Sequence, residues 1–444
     1  MKKHIVITFL SSILLCTGCV SREKPCLRIA VTSDAQAAAS ENHWGIVNTE
    51  KAFRFLARFN PDVLVMAGDL ADRFYPQVFD LYMASYLRNF KNKLPVQVAC
   101  AGNHDFWSGR DDDFDTIWHE FTTRLKISGE NPCRQLVNGY DFISLSHKSI
   151  GEIPADLLAK LKIKLDEAVS RDKNKPIFLI THYPPRDTMY CSGENCGQKN
   201  LRELLNNYPQ VISLSGHTHI PLDWEQAFWQ DEFTALTTST LSYGCIGGKF
   251  FNTAGGSILP FAREVQQALI IDIFKDEVKI HRYNVHDRRE IKPDSVWKVE
   301  IPYNRENALR KRIKMYSNAV APQFPEDAKP VIRHDFGFVY LLFPAATHPK
   351  MVLSYVVKIQ EKCSDGSWKT LNESEYAADF YRYEKHRTSE VSVKLPENIF
   401  TVGRKLKFEV FPVEDFEKRG KPLTLEFTSP WKLTRSAKQA YPVE

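Results

Sequence analysis

The chain has 444 residues, of which 43% are hydrophobic and 12% aromatic, and its formal net charge at pH 7 is +5. This length favours two domains, and this composition is sufficient for substantial apolar cores. Because the charge is small and no cluster of Lys and Arg interleaved with aromatic residues occurs, nucleic acid is not indicated as a partner.

The first residues predict export. Lys2 and Lys3 precede an apolar stretch over residues 5–15, which suits a secretory signal and is about half the ~20 residues that a spanning helix needs. The small residues before Cys19 resemble a bacterial lipoprotein signal over residues 1–18, in which Cys19 becomes the lipid-bearing N-terminus. An ordinary cleaved signal is the alternative. With lipidation, the protein would be anchored to a membrane of the bacterial cell envelope.

Strand-like and helix-like segments alternate over residues 27–285, which predicts an α/β domain. Asn138-Gly139 predicts a tight hairpin turn within it. Amphipathic patterns predict helices at 48–59, 77–90, 157–168 and 201–208. Five apolar runs have the length and composition of buried strands, and they cover residues 27–33, 63–67, 96–101, 177–181 and 211–215. Further strands are predicted at 234–240, 267–274 and 277–283.

Each of the five apolar runs is followed by side chains that can bind a divalent metal ion. These side chains are Asp34, Asp69, Asn103, His182, His217 and His219. In an open α/β sheet, ligands gather beyond the carboxyl ends of the strands, so we expect these residues to converge. Taken one at a time, each segment is better explained as a turn or a structural histidine, but the five together, with glycines where the backbone must bend closely, favour a metal site.

The types of ligand indicate which ions would bind. Two Asp, one Asn and three His combine anionic oxygen with imidazole nitrogen, which suits Mn²⁺, Fe or Zn²⁺ better than Ca²⁺ or Cu⁺. So many ligands exceed what one ion with an open position can use. Two divalent ions about 3.5–4 Å apart, bridged by one carboxylate, would use them all.

The motifs around these residues resemble those of the calcineurin-like metallophosphoesterase superfamily, in the same chain order. They read SDAQ at 33–36, GDLAD at 68–72, GNHD at 102–105, THYP at 181–184 and GHTH at 216–219. The resemblance implies a two-sheet αββα sandwich over residues 27–285 and the hydrolysis of phosphomonoesters or phosphodiesters.

Carried over residue by residue, the resemblance also implies two sets of metal ligands. One ion would be held by Asp34, Gln36, Asp69 and His219. Asp69 would bridge to a second ion held by Asn103, His182 and His217. Gln36 stands where the commonest pattern has His, and its carboxamide oxygen is a neutral, weaker donor. The alternative for Gln36 is a hydrogen bond within a loop.

His104 and Asp105 are the predicted catalytic side chains. His104 adjoins the implied ligand Asn103, so its imidazole could protonate or stabilise the departing alkoxide. Asp105 would orient that imidazole and favour its cationic form. The alternative for Asp105 is a turn aspartate.

The cysteines of the mature chain are odd in number and irregularly spaced, so they predict no disulfide framework. Cys191 and Cys196 could close a small loop in an oxidising compartment. The alternative is two buried free thiols.

The composition changes after the α/β domain. Residues 286–325 are predicted to form a linker with a short charged helix at 304–315. Short β-rich runs then recur over residues 326–444, which favours a β-sandwich. The segment 406–423 loosely resembles the end of a fibronectin type III-like domain.

The sequence therefore predicts an exported, metal-dependent phosphoesterase that acts on a small phosphoester. The alternative is a binding or scaffold lipoprotein. In that case Gln36, which replaces the usual His, would have abolished catalysis, and the C-terminal β-sandwich would contact a partner.

Overall fold

The computed structural model describes residues 23–431, apart from 109–112, 149, 249 and 256. The predicted signal at 1–18 and the predicted lipid-attachment residue Cys19 lie outside the described residues. In the part of the chain that is described, no helix combines the length and apolar character needed to cross a membrane.

The N-terminal domain consists of strands and helices that alternate along the chain. Its strands are β1 (Leu27–Thr32), β2 (Val63–Ala67), β3 (Val96–Cys100), β4 (Cys133–Val137), β5 (Tyr140–Leu145), β6 (Ile177–Thr181), β7 (Val211–Ser215), β8 (Phe228–Gln230), β9 (Thr234–Thr237), β10 (Gln267–Ile273), β11 (Glu277–Asn284), β12 (Arg289–Ile291) and β13 (Trp297–Glu300). Its helices are α1 (Trp44–Leu56), α2 (Pro76–Asn89), α3 (Phe114–Leu125), α4 (Ala155–Arg171) and α5 (Lys199–Leu205).

These strands form two mixed sheets. The first sheet has the order β12-β11-β10-β1-β2-β3, with β13 also paired to β11. The second sheet has the order β4-β5-β6-β7-β9-β8. The strands β1, β2 and β3 are parallel to one another, as are β5, β6, β7 and β9. Their carboxyl ends therefore meet at one edge of each sheet.

The central strands are apolar on both faces because both faces are covered. Along β1 and β2, Ile29 and Val65 pack into a core between the two sheets, which also holds Phe178 of β6. Ala30 and Leu64 point the other way, into a core shared with α1, α2 and α3. A third core lies between the outer face of the second sheet and helices α4 and α5. The layers are thus helix, sheet, sheet and helix, which confirms the predicted αββα sandwich.

The structure also shows where the sequence pattern was accurate and where it was not. The predicted hairpin at Asn138-Gly139 joins β4 to β5, and both residues have positive φ, as a tight two-residue turn requires. The first sheet extends beyond the predicted boundary at residue 285, because β12 and β13 both pair with β11. Part of the segment predicted as a linker therefore belongs to the first sheet.

The C-terminal part begins after helix α6 (Arg305–Ser317) and is a β-sandwich, as predicted. Its strands are β14 (Val331–Asp335), β15 (Phe338–Pro344), β16 (Val352–Lys362), β17 (Trp368–Ala377), β18 (Glu390–Lys394), β19 (Lys405–Glu414) and β20 (Leu423–Thr428). One sheet has the order β14-β15-β18 and the other β17-β16-β19-β20. Their inner faces meet in a core that includes Leu341, Val357 and Phe408.

The two domains make direct contacts. The side chain of Asn252 pairs with the backbone of Ala377, accepting from its N–H at 2.8 Å and donating to its carbonyl oxygen at 3.0 Å. The guanidinium of Arg382 donates two hydrogen bonds, of 2.9 and 3.0 Å, to the carboxylate of Glu264. Phe380 and other apolar residues of the C-terminal domain belong to the core between the two sheets of the N-terminal domain.

Candidate metal centre

The polar residues that follow five parallel strands converge at one edge of the αββα sandwich. From the first sheet, Asp34 follows β1, Asp69 follows β2 and Asn103 follows β3. From the second sheet, His182 follows β6, and the GHTH segment follows β7. One ligand atom from each of Asp34, Asp69 and His182 lies within 4.8 Å of the other two. Residues that are far apart in sequence thus share one site.

The carboxylate of Asp34 is fully buried and is held by the GHTH segment. The backbone N–H of His217 donates to both of its oxygens, at 3.1 and 3.2 Å. The Nε2 atom of His219 lies 3.1 Å from Oδ1 of the same carboxylate. These contacts join the end of β1 in the first sheet to the end of β7 in the second.

The carboxylate of Asp69 makes the corresponding link from β2. Its Oδ1 accepts a hydrogen bond of 2.9 Å from the backbone N–H of His104, and its Oδ2 lies 3.2 Å from Nε2 of His182. That same Nε2 is 3.1 Å from Oδ1 of Asn103. The side chains of Asp69, Asn103 and His182 therefore point at one spot.

The orientation of two histidine rings is fixed by backbone carbonyl groups. Nδ1 of His182 lies 2.9 Å from the carbonyl oxygen of Ala67, and Nδ1 of His219 lies 2.8 Å from that of Tyr243. Since a carbonyl oxygen can only accept, each Nδ1 carries the proton. Each Nε2 is thereby turned towards the carboxylates, which is the orientation that outer hydrogen bonds impose on metal-binding histidines.

Two glycines are required for the close approach of these segments. A Cβ added to Gly216 would lie 2.5 Å from the carbonyl oxygen of Ala67 and 2.6 Å from the carboxylate of Asp34. A Cβ on Gly102 would collide with the carboxylate of Asp69. A side chain at either position would displace the carboxylates of the site.

The site is strongly polarised. Burial lowers the pKa of His182, but the charge of Asp69 and a hydrogen bond to it outweigh burial and raise that pKa to about 9. Burial and the neighbouring His182 lower the pKa of His217 to about 3. Burial tends to raise the pKa of Asp34, yet the imidazole of His219 brings the net pKa below the ordinary value. The buried carboxylates thus favour the protonated form of the imidazoles that face them, and a divalent ion bound here would take the place of those protons.

This arrangement fits a divalent metal ion. Asp34 and Asp69 are buried, and within the described residues their ionic partners are imidazoles rather than Lys or Arg. Buried carboxylates are costly unless a cation neutralises them, and a divalent ion can take over that role from the imidazole protons. Carboxylate oxygens and imidazole nitrogens are ligands that Mn²⁺, Fe and Zn²⁺ accept.

Gln36 is buried beside the centre, with its side chain engaged by a loop that follows the second sheet. Its Oε1 accepts a hydrogen bond of 3.0 Å from the hydroxyl of Ser242, which is itself 2.8 Å from the hydroxyl of Thr240. Thr240 also donates to the backbone carbonyl of Asp34. The loop hydrogen bond that was the alternative for Gln36 is thus present, and its role as a metal ligand stays a prediction.

The structure corrects the predicted role of Asp105. Its carboxylate is buried and accepts hydrogen bonds of 2.9 Å from the backbone N–H groups of Ala71 and Gly102, so it braces two loops. The Nδ1 atom of His104 instead donates to the backbone carbonyl of Asp72 at 2.8 Å, and the Asp72 carboxylate lies 3.5 Å away. The prediction chose Asp105 because it follows His104 in sequence, but Asp72 is the aspartate that lies beside the imidazole.

The predicted disulfide between Cys191 and Cys196 is not present, because Cys196 is a free thiol. Cys191 has a left-handed backbone with φ of 61°, and its Sγ lies against Gly247, where a Cβ would be only 2.9 Å away. The Cys191 side chain thus packs against the segment around Gly247.

Three residues at the centre were not predicted as site residues. Tyr243 orients His219 through its carbonyl oxygen, and its ring packs at an angle against the imidazole, with ring centroids 4.7 Å apart. The ring of Tyr183 lies 4.8 Å from that of His217. Ser242 holds Gln36. Tyr183 directly follows a predicted ligand in sequence, but Tyr243 acts through its backbone, which no side-chain pattern reveals.

Residues 27–221 match the family model of the calcineurin-like phosphoesterases. Fold, centre and family model agree: this part of the chain belongs to the calcineurin-like phosphoesterase family. The protein is accordingly a metallophosphoesterase, a hydrolase of phosphoric esters.

Several solved structures are similar to this chain. A dimetal phosphatase from Danio rerio has 11% sequence identity and a TM-score of 0.43, and the match covers 63% of this chain and 100% of that one. A purple acid phosphatase from yellow lupin, Lupinus luteus, has 12% identity and a TM-score of 0.40, covering 64% of this chain and 55% of that one. A 5'-nucleotidase precursor from Thermus thermophilus has 12% identity and a TM-score of 0.32, with coverages of 67% and 61%. A comparison with curated proteins gave no match.

Proposed function

We propose that the protein is an exported phosphoesterase that hydrolyses small phosphomonoesters or phosphodiesters with the help of two divalent metal ions. The observation that carries the proposal is the convergence of Asp34, Asp69 and His182, whose ligand atoms lie within 4.8 Å of one another. The apolar stretch at 5–15 and the small residues before Cys19 support export with a lipid anchor facing the periplasm or cell surface.

Two groups of side chains would hold the two ions. Asp34, Gln36, Asp69 and His219 would form one group, and Asn103, His182 and His217 would form the other with Asp69 shared. Divalent ions at such a site supply Lewis-acid catalysis of phosphoester hydrolysis. Mn, Fe and Zn are the candidates on the basis of the ligand types.

His104 is the residue best placed to assist the leaving group. Its backbone N–H is bonded to Asp69, and its Nδ1 donates to the carbonyl oxygen of Asp72, so the ring is fixed at the edge of the centre. The side chain is 22% exposed, which leaves Nε2 as the nitrogen that a substrate can reach. Through Nε2, His104 would give a proton to the departing alkoxide oxygen.

The proposed function is tested by hydrolysis of p-nitrophenyl phosphate and its bis-ester by protein reconstituted with Mn²⁺. We expect turnover that a chelator abolishes and that added metal restores, because the centre needs a cation to neutralise Asp34 and Asp69. If the protein binds metal but hydrolyses neither ester nor any member of a broad phosphoester panel, the scaffold alternative is favoured.

We expect His104→Ala to retain bound metal but to lose activity by about 10²–10⁴-fold on alkyl esters, since general acid catalysis contributes on this order. The loss should be smaller for p-nitrophenyl esters, whose leaving group needs little protonation. The kcat values of the two ester types and the metal content are the measurements. His119→Ala, in the exposed part of α3, is the matched control. Equal losses for both ester types would contradict the acid role.

A further inference from the structure

An exposed tryptophan stands at the rim of the metal centre, directly beside the proposed general acid. The side chain of Trp107 is 51% exposed, and its ring is 5.8 Å from that of His104 in an edge-to-face arrangement. The guanidinium carbon of Arg73 lies 4.5 Å from the centroid of the same indole ring. Trp107 and Arg73, here called the rim pair, thus flank the position from which His104 would act.

The rim pair is fixed to the metal centre through the backbone. The N–H of Trp107 donates to the carbonyl of His104, and the carbonyl of Trp107 accepts from the N–H of Phe74, both at 3.1 Å. His104 is bonded in turn to Asp69. The two loops that follow β2 and β3 therefore fix the backbone of Trp107 next to His104 and Asp69.

The guanidinium of Arg73 is available to a ligand. Arg73 is exposed, and it forms no ion pair with a carboxylate among the residues that the structure describes. A guanidinium placed over an aromatic ring keeps its N–H donors at the ring's edge, where they can bind an anionic or carbonyl oxygen. The guanidinium therefore lies over one face of the indole, and the half-exposed ring still has surface open to a ligand.

A lone exposed tryptophan on a protein surface needs no functional explanation. Trp107 differs because its ring lies edge-to-face with the imidazole of the proposed acid, so a leaving group that takes a proton from His104 would lie close to the indole. An indole can bind a flat aromatic ring by stacking, and a nearby cation can bind an acceptor group on that ring.

We propose that the rim pair binds the leaving group of the substrate and selects phosphoesters whose leaving group carries a planar aromatic ring. The ring stacks on Trp107, and Arg73 binds an acceptor or anionic group attached to it. This inference rests on the proposed function, since it assumes that the leaving group departs on the side of His104.

The first test measures binding without turnover. Benzylphosphonate and n-butylphosphonate present a ring or an alkyl chain on the same non-hydrolysable group, and titration calorimetry gives their affinities for the Mn²⁺-loaded protein. We expect the wild type to bind benzylphosphonate roughly tenfold more tightly or better, as stacking on an aromatic side chain commonly provides. Trp107→Ala should lose this preference, and Trp107→Phe should keep part of it.

The matched control is Trp368→Ala. Trp368 also has a cation over its ring, with Lys407 at 5.1 Å from the centroid, but it lies on strand β17 of the other domain. This variant should keep the full preference for the ring. If Trp368→Ala and Trp107→Ala behave alike, or if the wild type has no preference, the inference is wrong.

The second test measures kcat/KM for benzyl phosphate and n-butyl phosphate, or for their bis-esters. Both release a primary alcohol, so the two substrates differ mainly in the ring. Trp107→Ala should lower kcat/KM for the benzyl ester about tenfold more than for the butyl ester. Arg73→Ala should lower kcat/KM more for 4-carboxybenzyl phosphate, whose ring carries an anionic group, than for benzyl phosphate. If both esters are hydrolysed and Trp107→Ala lowers kcat/KM equally for the two, the inference about the rim pair is wrong and the proposed function stands. If no ester is hydrolysed, the proposed function is wrong.

Discussion

Asp69→Ala is expected to lose bound metal and, with it, phosphoesterase activity by on the order of a thousandfold or more, since metal ions contribute several kcal/mol to catalysis of this kind. Asp69 touches both halves of the site, since it lies 3.2 Å from His182 of the second sheet and accepts from the N–H of His104 in the first. Metal content by elemental analysis and kcat/KM are the measurements.

The control for this variant is Asp72→Ala, three residues along the same motif. The Asp72 carboxylate is 52% exposed, and the shorter contact to His104 is made by the backbone carbonyl, which alanine retains. Asp72→Ala should therefore keep its metal. A full complement of metal in Asp69→Ala would show that the centre is assigned to the wrong carboxylate.

Glu225→Ala is expected to lower the free energy of unfolding by about 3–5 kcal/mol, because it leaves a buried cation without its partner. The Glu225 side chain is 3% exposed and accepts from Arg282 at 3.2 Å, from Lys292 at 3.1 Å and from the indole N–H of Trp297 at 2.7 Å. Arg282 is itself 0% exposed in its side chain. Urea unfolding of the variant and the wild type at pH 7 measures the difference.

The carboxylate of Glu225 also makes the free energy of unfolding depend on pH. Burial would raise the pKa of Glu225, but Lys292, Arg282 and the hydrogen bond from Trp297 outweigh it and lower the pKa from 4.5 to about 2. The pKa is lower in the folded than in the unfolded chain, so the stabilisation is complete above pH 4.5 and is lost as the pH falls towards 2. Over this window the wild type should lose more stability than Glu225→Gln.

Glu277→Ala is the matched control, because Glu277 also contacts two cations, Lys279 at 2.8 Å and Lys298 at 3.1 Å. These groups are 27–51% exposed, and surface ion pairs contribute about 0–1 kcal/mol. If Glu225→Ala destabilises the protein no more than Glu277→Ala, the buried ion cluster does not have the importance inferred for it.

The sequence predicted the sheets and the convergence of the motifs because both follow from local patterns. A strand such as β2 that is buried on both faces must be apolar throughout, and the glycine and aspartate that follow it mark the strand's end. Helix α3 was not predicted, although Ile117, Phe121 and Leu125 recur every four residues. The short strands β12 and β13 were assigned to a linker because they consist of only three and four residues and carry several charges.

The details of the site depended on contacts between loops, which sequence spacing does not encode. The turn after Asn103 directs Asp105 onto backbone amides and brings Asp72, from a different loop, to the imidazole of His104. Ser242 reaches Gln36 from a segment more than two hundred residues further along the chain.

The C-terminal sandwich contributes side chains to the apolar core of the N-terminal domain. Met351, Leu353, Phe380 and Tyr381 are buried in the same cluster as the inward-facing residues of both N-terminal sheets. Detaching the sandwich would hydrate this apolar surface, at a cost that grows with the area exposed. The sandwich is therefore an integral part of the folded N-terminal domain. Replacing it with another domain would lower the stability of the catalytic fold.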